Sequence, residues 1–278
     1  MKVWLDSTEP STWDSYVDGT VTFTGVTEGQ HIAHAKFMDS VGNVSETYDS
    51  DTFIVDTTAP TGTISGPTYT NTRSVTITIT ASDDKSGIVT SGLAQMKVWE
   101  NGTTEPEWES YTGTKSLTLT NGDGNKTIKA KFKDNAGNVS VETSYSIILD
   151  TDEPDVTLVL TKTDRTTILP STVSARGFNA RIGFTNETQE SAIIEYKLTG
   201  DFSESSDNWQ TFTADTGQSY MTISGLTFTA SNGQKVITAL LKDAAGNISP
   251  TGASVSILYD SSNPVIDVNA PDYNIISK

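Results

Sequence analysis

The sequence predicts an all-β protein built from tandem β-sandwich domains, and three observations support that prediction. Short segments rich in Thr, Val and Ile alternate apolar with polar residues, which is the period of a half-buried strand. Clusters of Asn, Gly and Asp separate these segments, as expected of tight turns. A group of landmarks also recurs three times along the chain, which is typical of a repeat architecture.

The clearest strands lie in the middle of the chain. They are SVTITITAS at 74–82, TKSLTLT at 114–120, NKTIKAKFKD at 125–134 and YSIILD at 145–150. Turn signals fall between them in NGT at 101–103 and NGDGN at 121–125. Because no segment sustains apolar residues at helical spacing with caps at both ends, the sequence predicts little or no helix.

Composition limits the class of protein. A chain of 278 residues suits two or three domains of about 100 residues. Cysteine is absent, which excludes disulfides and thiolate metal sites, and no apolar stretch reaches the about 18 residues of a transmembrane helix. The opening MKVWLDSTEP lacks the basic and apolar segments of a signal peptide. The formal charge of -17 repels nucleic acid and anionic lipid, so we expect no nucleic-acid or membrane-surface partner, and the lack of a long apolar stretch predicts no membrane insertion.

Three landmarks repeat in the same order, at a period close to the length of one domain. The turns KFMDSVGNVS, KFKDNAGNVS and LLKDAAGNIS carry their aspartates at Asp39, Asp134 and Asp243. The tryptophans of STWDSY, PEWESY and DNWQTF are Trp13, Trp108 and Trp209. The junctions DTTAP, DTDEP and DSSNP begin at Asp56, Asp150 and Asp260. The chain therefore contains copies of one module.

Aligning the copies on the turn predicts which residues form the core. Alternate positions of the strand before the turn are apolar, so they should face the inside of a sandwich. These positions are Ala33, Ala35 and Phe37 in the first copy, Ile128, Ala130 and Phe132 in the second, and Ile237, Ala239 and Leu241 in the third. The small central alanine leaves room for the indole of the repeated tryptophan, while His34, Lys36, Lys129 and Lys131 should face solvent.

The repeated turn is predicted to be structural. Asp134 can accept backbone N–H groups in an Asx-type turn, Gly137 and Asn138 tolerate a positive φ, and Val139 should begin the next inward-facing run. The corresponding glycines are Gly42 and Gly246. Calcium binding is the alternative for an Asp-rich loop, but DNAGN lacks the ligand count of an EF-hand loop.

These residues carry a family resemblance. A D-x-A-G-N-x-S turn is followed by a D-T-x-x-P junction and preceded by a strand containing W-E-S-Y. This combination resembles bacterial immunoglobulin-like (Big-type) tandem repeats. Such repeats occur in large surface proteins, adhesins and phage virion proteins. The resemblance covers essentially the whole chain and implies tandem immunoglobulin-like β-sandwich domains in an elongated array. It also implies a non-enzymatic spacer, stalk or adhesive function, located outside the cell on a bacterial surface or on a virion.

The landmarks divide the chain into four parts. We expect a partial repeat with C-terminal strands only at 1–56, complete repeats at 57–151 and 152–261, and the first strand of a further repeat at 262–278. The start, MKVWLDSTEPSTWDSY, aligns with MKVWENGTTEPEWESY from Met96, which lies inside the second repeat. The chain is therefore interpreted as a segment of a longer array. The alternative is that neighbouring copies supply the missing strands head to tail, which would make a fibre.

The repeat at 152–261 departs from the pattern by its longer loops. It carries an insertion around TGDFSESSDNWQ and a longer lead-in, TKTDRTTILPSTVSARGFNARIGF. Loops at the end of a sandwich can bind a ligand, so this copy is the better candidate for a ligand face. Tolerated drift of loops within a repeat array is the alternative.

Acidic side chains crowd two places in the sequence. Asp150, Asp152, Glu153 and Asp155 lie at one junction, and Asp83 and Asp84 lie in SDDKSG. Oxygen ligands of this kind suit calcium, which would stiffen the junction. The alternative is a set of solvated carboxylates that repel one another, and the sequence alone assigns no metal ligand.

The sequence shows no catalytic or cofactor-binding site. Its two histidines, His31 and His34, lie on one predicted strand and do not recur at Lys126 and Lys129. No nucleophile elbow, phosphate loop or zinc spacing accompanies them. Two classes of function remain, a structural spacer whose partners are neighbouring repeats and a module that binds a glycan or receptor.

Tryptophan exposure separates these two classes. In the binding class, exposed aromatics such as Trp4 and Trp99 would stack on sugars. Strand alternation places at least one tryptophan of each pair, Trp4 with Trp13 and Trp99 with Trp108, in the core. Exposure of the other is therefore the discriminating observation.

Overall fold

The computed structural model describes residues 1–45, 50–85, 87–185 and 192–264. These residues form strands, turns and irregular segments without helix, which confirms the all-β prediction. Accordingly, this part of the chain has no helix of the length and apolarity needed to cross a membrane. The chain divides into two compact units, Met1–Thr68 with Thr72–Leu149, and Tyr69–Asn71 with Asp150–Lys278.

In the described residues, nineteen strands make up five sheets. The first sheet, of order β1-β2-β3, contains β1 Lys2–Leu5, β2 Gly29–Lys36 and β3 Ser50–Val55. The next eight strands are β4 Thr61–Ser65, β5 Tyr69–Thr70, β6 Ser74–Ser82, β7 Leu93–Glu100, β8 Glu109–Ser110, β9 Thr114–Thr118, β10 Gly124–Asp134 and β11 Thr143–Leu149. The last eight are β12 Val156–Thr161, β13 Thr172–Val173, β14 Gly177–Phe184, β15 Ile193–Gly200, β16 Gln210–Thr211, β17 Tyr220–Thr227, β18 Gly233–Asp243 and β19 Ala253–Tyr259.

Strands β4–β11 form an immunoglobulin-like sandwich. A three-stranded sheet of order β4-β6-β9 packs on a five-stranded sheet of order β5-β11-β10-β7-β8. Along this sandwich the chain starts in the three-stranded sheet with β4, crosses to the five-stranded sheet with β5, and returns with β6. Strands β7 and β8 then lie in the five-stranded sheet, β9 in the three-stranded sheet, and β10 and β11 in the five-stranded sheet, so both sheets are built from strands distant in sequence, as in an immunoglobulin domain. The strands predicted at 74–82, 114–120, 125–134 and 145–150 are confirmed as β6, β9, β10 and β11 within two residues at either end.

Strands β12–β19 repeat this topology. Here the three-stranded sheet has the order β12-β14-β17 and the five-stranded sheet the order β13-β19-β18-β15-β16. The short strand β13 pairs in parallel with β19, whereas β19 pairs antiparallel with β18. The longer lead-in of this copy contributes β13 and the Asp164 turn, in which the Asp164 carboxylate accepts hydrogen bonds from the Thr166 and Thr167 N–H groups.

The inward-facing prediction holds in both sandwiches. Ile128, Ala130 and Phe132 on β10 are fully buried, as are Ile237, Ala239 and Leu241 on β18. Phe178 and Phe228 complete the core of the second sandwich by stacking with their ring centroids 4.3 Å apart. Each large apolar side chain buried in this way stabilises the fold by about 1.5–3 kcal/mol.

The first copy differs from this prediction. Ala33 and Ala35 are only half-buried, and Phe37 is 46% exposed. In the β4–β11 sandwich, the sheet containing β4, β6 and β9 covers the equivalent face. The described residues provide no such covering sheet for β1–β3. The strand predicted at 262–278 lies outside the described residues from 265 onward.

Candidate functional site

The repeated turn sits at the centre of the candidate site, and each polar residue in its motif has a defined bond. The Asp134 carboxylate accepts hydrogen bonds from the Gly137 N–H at 2.6 Å and the Asn138 N–H at 2.8 Å, so the predicted Asx-type turn is confirmed. Gly137 has φ +100°, which an L side chain rarely adopts. Asn138, predicted to tolerate a positive φ, does not adopt one.

The serine of the motif closes the turn. The Ser140 hydroxyl accepts a hydrogen bond from the Phe132 N–H at 2.9 Å, and the Ser249 hydroxyl accepts the equivalent bond from the Leu241 N–H at 3.0 Å. The prediction that Val139 faces inward is wrong, since Val139 is 43% exposed while Ser140 is buried. The reason is that the buried Phe132 N–H requires a polar partner at that position.

The asparagine of the motif ties the turn to the junction that precedes its own sandwich. The Asn138 side chain donates to the Asp134 carboxylate at 2.8 Å and to the main-chain carbonyl of Asp56 at 3.0 Å. In the second sandwich, Asn247 donates to the Asp243 carboxylate at 2.9 Å and to the Asp150 carbonyl at 2.8 Å. We call this pair of hydrogen bonds the junction clamp. It connects the two sequence landmarks, the turn and the D-T-x-x-P junction.

Three buried carboxylates meet at the junction clamp of the β4–β11 sandwich. Asp56 follows β3, Asp83 follows β6 and Asp134 ends β10, and one oxygen of each lies within 4.8 Å of the others. Their exposed fractions are 8%, 5% and 2%. None of the ion pairs between described residues involves any of the three. We call these residues the acidic cluster.

Hydrogen bonds occupy most, but not all, of the oxygens in the acidic cluster. The Asp56 carboxylate accepts from the Thr58 and Ser91 N–H groups, at 3.0 and 2.7 Å. The Asp83 Oδ2 accepts from the Gly92 N–H at 2.8 Å. The Asp83 Oδ1 is buried and has no hydrogen-bond partner. An unpaired buried oxygen of this kind costs about 1–3 kcal/mol or more, because it has lost water and gained nothing.

The electrostatics of the cluster follow from this crowding. Burial raises the pKa of Asp83, and the nearby charges of Asp56 and Asp134 raise it further, while the Gly92 N–H opposes the shift. Burial alone would raise the pKa of Asp56 as well, but its hydrogen bonds with Ser91 and Thr58 hold it below the usual range. Asp83 is therefore the member least suited to carry a negative charge without a cation.

The structure gathers a different acidic set from the two that the sequence suggested. Asp83 is in the cluster, but its neighbour Asp84 is exposed and lies outside it. At the other junction Asp150 is fully buried, while Asp152, Glu153 and Asp155 are exposed and do not converge. The cluster partners Asp56 and Asp134 were missed as ligands, although both are repeat landmarks, because residues this far apart in sequence meet only through the fold.

Trp108 and Trp209 lie on the outer face of the five-stranded sheets, and not beside the core alanine as predicted. The Trp108 ring is half-buried and contacts two lysines, with Lys97 Nζ at 4.9 Å and Lys133 Nζ at 4.6 Å from its centroid. Trp209 lies beneath Lys197 and Lys242 in the same way. The core alanine therefore does not accommodate an indole. Cation–π contacts of this kind contribute about 0.5–1 kcal/mol each at exposed sites.

The tryptophans proposed to stack on sugars are buried. Trp4 is 7% exposed and Trp99 is 8% exposed, with Lys36 and Lys131 over their rings. Glutamates complete this surface, since Glu105 pairs with Lys97 and Lys131, and Glu9 pairs with Lys2 and Lys36. The signal that could have identified this surface is the shared order K-x-W, then T-E-P, then W in both copies.

The histidines make structural contacts. His31 is buried, and its two ring nitrogens lie 2.9 Å from the Asp6 carboxylate and 2.8 Å from the Thr27 carbonyl. His34 stacks on Trp4 with ring centroids 5.3 Å apart. Two acceptors around one imidazole favour the doubly protonated ring, because only that form has two N–H donors.

The longer lead-in of the third copy borders a cleft. Its volume is about 500 Å³, and its lining includes the apolar residues Leu169, Pro170 and Val173 and the single cation Lys162. The inserted loop contributes to the core through Phe202, which is 4% exposed and packs edge-on against Phe178. Glu204, Ser206 and Asn208 of the same loop also line a second cleft, of about 380 Å³. A ligand face on this copy stays a prediction.

Comparison with known proteins gives distant structural similarity only. No protein-family model matches the sequence, and no curated protein matches it. Among solved structures, the chain is similar to fibronectin(III)-like modules of Clostridium thermocellum CbhA, with 15% identity over 70% of this chain and 93% of that chain and a TM-score of 0.41. It is similar to a tetra-tandem repeat in the extending region of a large adhesion protein, with 22% identity over 86% and 58% of the two chains and a TM-score of 0.33. It is also similar to chicken CNTN1 FN1-FN3 domains, with 14% identity over 82% of this chain and 77% of that chain and a TM-score of 0.38. The immunoglobulin-like assignment accordingly rests on strand order.

Proposed function

We propose that this chain is a non-enzymatic structural and adhesive segment, a run of immunoglobulin-like repeats that serves as a spacer or stalk in a larger protein. The observation that carries the proposal is the junction clamp, which occurs with the same donors and acceptors in both sandwiches. A repeated bond that ties each domain to its own lead-in segment serves the connection between modules. A catalytic site, by contrast, is normally a single exception within a fold.

The repeats are proposed to run at 57–151 and 152–261, with a partial repeat at 1–56 and the start of a further repeat at 262–278. Their main partners are neighbouring repeats of the same array. The clamp holds the carbonyl at each D-T-x-x-P junction, and the proline stiffens the segment that follows it. Short, stiff connections of this kind favour an extended rod over a collapsed one.

The proposed location is outside the cell, on a bacterial surface or as part of a phage virion fibre. The formal charge of -17 supports it, because a highly charged surface keeps a long exposed protein soluble and prevents collapse of one module on another. The lysines are not distributed evenly among the acidic residues of the surface. Several of them cover the outer tryptophans of the sheets.

Direct binding of a glycan or receptor is the alternative, and the tryptophan geometry weighs against it. Trp4 and Trp99 are buried, and Trp108 presents a ring that Lys97 and Lys133 already cover. No observed feature therefore favours glycan stacking on these tryptophans over the spacer.

Small-angle X-ray scattering tests the spacer function. The full chain is compared with a chain in which residues 57–151 are duplicated. A spacer predicts that the maximum dimension grows by about 35 Å, which is the length of an 11-residue strand such as β10 at about 3.3 Å per residue. An unchanged maximum dimension would show that the modules collapse on one another and would contradict the proposal. Saturable binding of the full chain to a glycan array would favour the alternative.

A further inference from the structure

We propose that the cleft beside the inserted loop of the β12–β19 sandwich is a binding site for a neutral sugar ring. The loop, residues 201–209, joins β15 to β16 and provides part of the lining, while β15, β16 and β17 provide the rest. We call this space, of about 380 Å³, the loop cleft. Sugar binding here goes beyond the spacer function and does not depend on it, because an array of repeats keeps its length whether or not one repeat binds a ligand.

The loop cleft has an apolar floor and a polar entrance. Leu198, Phe202 and Leu226 line it and are buried. Asn208 and Gln210 line it as well, but both are exposed. Small-molecule sites typically occupy about 300–1,000 Å³ and combine an apolar lining with a few polar groups. The volume of the loop cleft and its distribution of polarity both fit this description.

The two sandwiches differ at one position of this cleft. Tyr196 on β15 is equivalent to Met96 on β7, because each pairs with the first residue of the short edge strand beside it, Gln210 or Glu109. Met96 is 1% exposed and belongs to the core of the β4–β11 sandwich. Tyr196 is half-buried and lines the loop cleft. The shared fold therefore seals this position in one copy, and the opening is a feature of the copy that carries the insertion.

Three side chains of the loop cleft have polar groups available to a ligand. The Tyr196 hydroxyl and the side-chain amides of Asn208 and Gln210 make no hydrogen bond to another residue in the described part of the chain. Tyr196 and Gln210 are cross-strand partners, so their side chains lie on the same face of the sheet. Burial raises the pKa of the Tyr196 hydroxyl above its usual 10.0, so this group stays protonated and can donate.

The charge of the loop cleft excludes anionic ligands. Its lining contains no Lys, Arg or His among the described residues, and its one charged side chain is Glu204. The Glu204 carboxylate accepts hydrogen bonds from the Thr227 hydroxyl at 2.8 Å and the Thr227 N–H at 3.1 Å. The bond from the hydroxyl lowers the pKa of Glu204, so the carboxylate stays negative at neutral pH. A phosphate, an acidic sugar or an acidic peptide would meet this charge without a cation to offset it.

A neutral sugar ring matches the remaining groups. Its hydroxyls both donate and accept hydrogen bonds, as do the side-chain amides of Asn208 and Gln210 at the entrance. Its C–H face is apolar and can pack on the Tyr196 ring and on the floor of the cleft. The loop cleft thus offers an apolar surface next to uncharged donors and acceptors, which is the pattern that a sugar presents in return.

Saturation-transfer NMR titration of the full chain tests this site with the methyl glycosides of glucose, galactose, mannose and N-acetylglucosamine as probes. Sialic acid serves as the anionic comparison. We expect saturable binding of at least one neutral glycoside with a dissociation constant of about 1 mM or below, and no saturable binding of sialic acid. Absence of saturable binding for all the neutral glycosides would overturn the proposal, and tighter binding of sialic acid would do the same. The scattering test of the spacer is unaffected by either result.

Variants at the entrance assign the binding to the loop cleft. The double variant Asn208→Ala with Gln210→Ala removes two exposed amides, so its melting temperature should match that of the native chain. Its sugar affinity should fall by about 5- to 100-fold, because each lost hydrogen bond weakens binding by about 2- to 10-fold. Tyr196→Phe keeps the ring and should lose about 2- to 10-fold.

Thr211→Ala is the matched control, because Thr211 is exposed, follows Gln210 on β16 and faces the opposite side of the sheet. It should keep the native affinity. Native affinity in the double variant would place the sugar on another surface, such as the outer tryptophans, and would overturn the proposal. Equal losses in the double variant and in Thr211→Ala would overturn it as well, since the effect would then not depend on the face that lines the loop cleft.

Discussion

The side-chain amide of Asn247 donates a 2.8 Å hydrogen bond to the main-chain carbonyl of Asp150, 97 residues earlier in the chain. The same bond joins Asn138 to Asp56 in the preceding sandwich. Since both Asn247 and Asp150 are buried, water cannot replace this bond if it is broken.

Asn247→Ala should therefore destabilise its sandwich. The substitution removes the side-chain donor that serves the buried carbonyl of Asp150 and one Asp243 oxygen, which costs about 1–3 kcal/mol. Urea unfolding monitored by circular dichroism measures the change. The matched control is Asn43→Ala, because Asn43 makes the equivalent bond to Asp39 at an exposed site. If the two variants lose the same stability, the junction bond is not what stabilises the turn.

The contact of His31 with Asp6 predicts a pH dependence. The Asp6 carboxylate, followed by the Thr27 carbonyl, raises the pKa of His31 above its usual 6.5, and the His31 hydrogen bond lowers the pKa of Asp6 below its usual 3.8. The stabilisation from His31 is thus fully present below pH 6.5 and is lost as the pH rises through the raised value. The stabilisation from Asp6 is present above pH 3.8 and is lost as the pH falls through the lowered value.

Urea midpoints measured from about pH 6 to about pH 9 should show this loss on the alkaline side. His31→Gln should flatten the curve. His34→Gln, which removes the ring stacked on Trp4, should leave the curve's slope unchanged. A slope that survives in His31→Gln would assign the pH dependence to another group.

Phe132 and Phe37 occupy the same position in two copies, but they differ in burial. Phe132 is fully buried and Phe37 is 46% exposed. Phe132→Ala should cost about 3–5 kcal/mol, because it removes apolar contacts and leaves a cavity. Phe37→Ala should cost well under half of that. Thermal unfolding of the two variants compares them directly, and equal costs would mean that the first copy has a covered core.

Gly62 on β4 lies too close to the core to accept a side chain. A Cβ at this position would overlap the Phe132 ring and would lie 2.7 Å from the Ala81 Cβ. Gly62→Ala should therefore destabilise the sandwich by about 1–3 kcal/mol through overpacking. A Cβ added to Gly113 would meet no described atom within 4 Å, and Gly113 has no positive φ, so Gly113→Ala should be neutral or slightly stabilising. Differential scanning calorimetry of both variants checks the contrast.

Local pattern predicted the strands because alternation and turn residues act over a few neighbouring positions. The burial of Ile128, Ala130 and Phe132 followed from the same period of two. The errors arose where distant segments decide the outcome. Alternation could not show that Ser140, and not Val139, is the buried residue, because this depends on the hydrogen bond that the Ser140 hydroxyl accepts from the Phe132 N–H. Nor could it show that lysines on β7 and β10 draw Trp108 to the outer face.

The candidate site was only partly predictable for a similar reason. Asp83 was identified from its acidic neighbourhood, but Asp84, the other half of that pair, lies outside the cluster. Asp134 was recognised as the start of the repeated turn and Asp56 as the start of a junction. Their meeting depends on how the ends of β3, β6 and β10, which belong to three different sheets, come together in the fold, and no short window of sequence contains that information.

The parallel pairing of β13 with β19 determines how the last sandwich resists tension. The Ser171 carbonyl accepts a hydrogen bond from the Leu258 N–H at 2.8 Å, and the Val173 carbonyl accepts one from the Asp260 N–H at 3.0 Å. Pulling the two ends of this sandwich apart draws the parallel strands in opposite directions along their length. Their bonds are then loaded together in shear, whereas a hairpin pulled from its open end breaks one bond at a time. The few hydrogen bonds of β13 therefore resist the separation of the final strand, β19, from the module under tension.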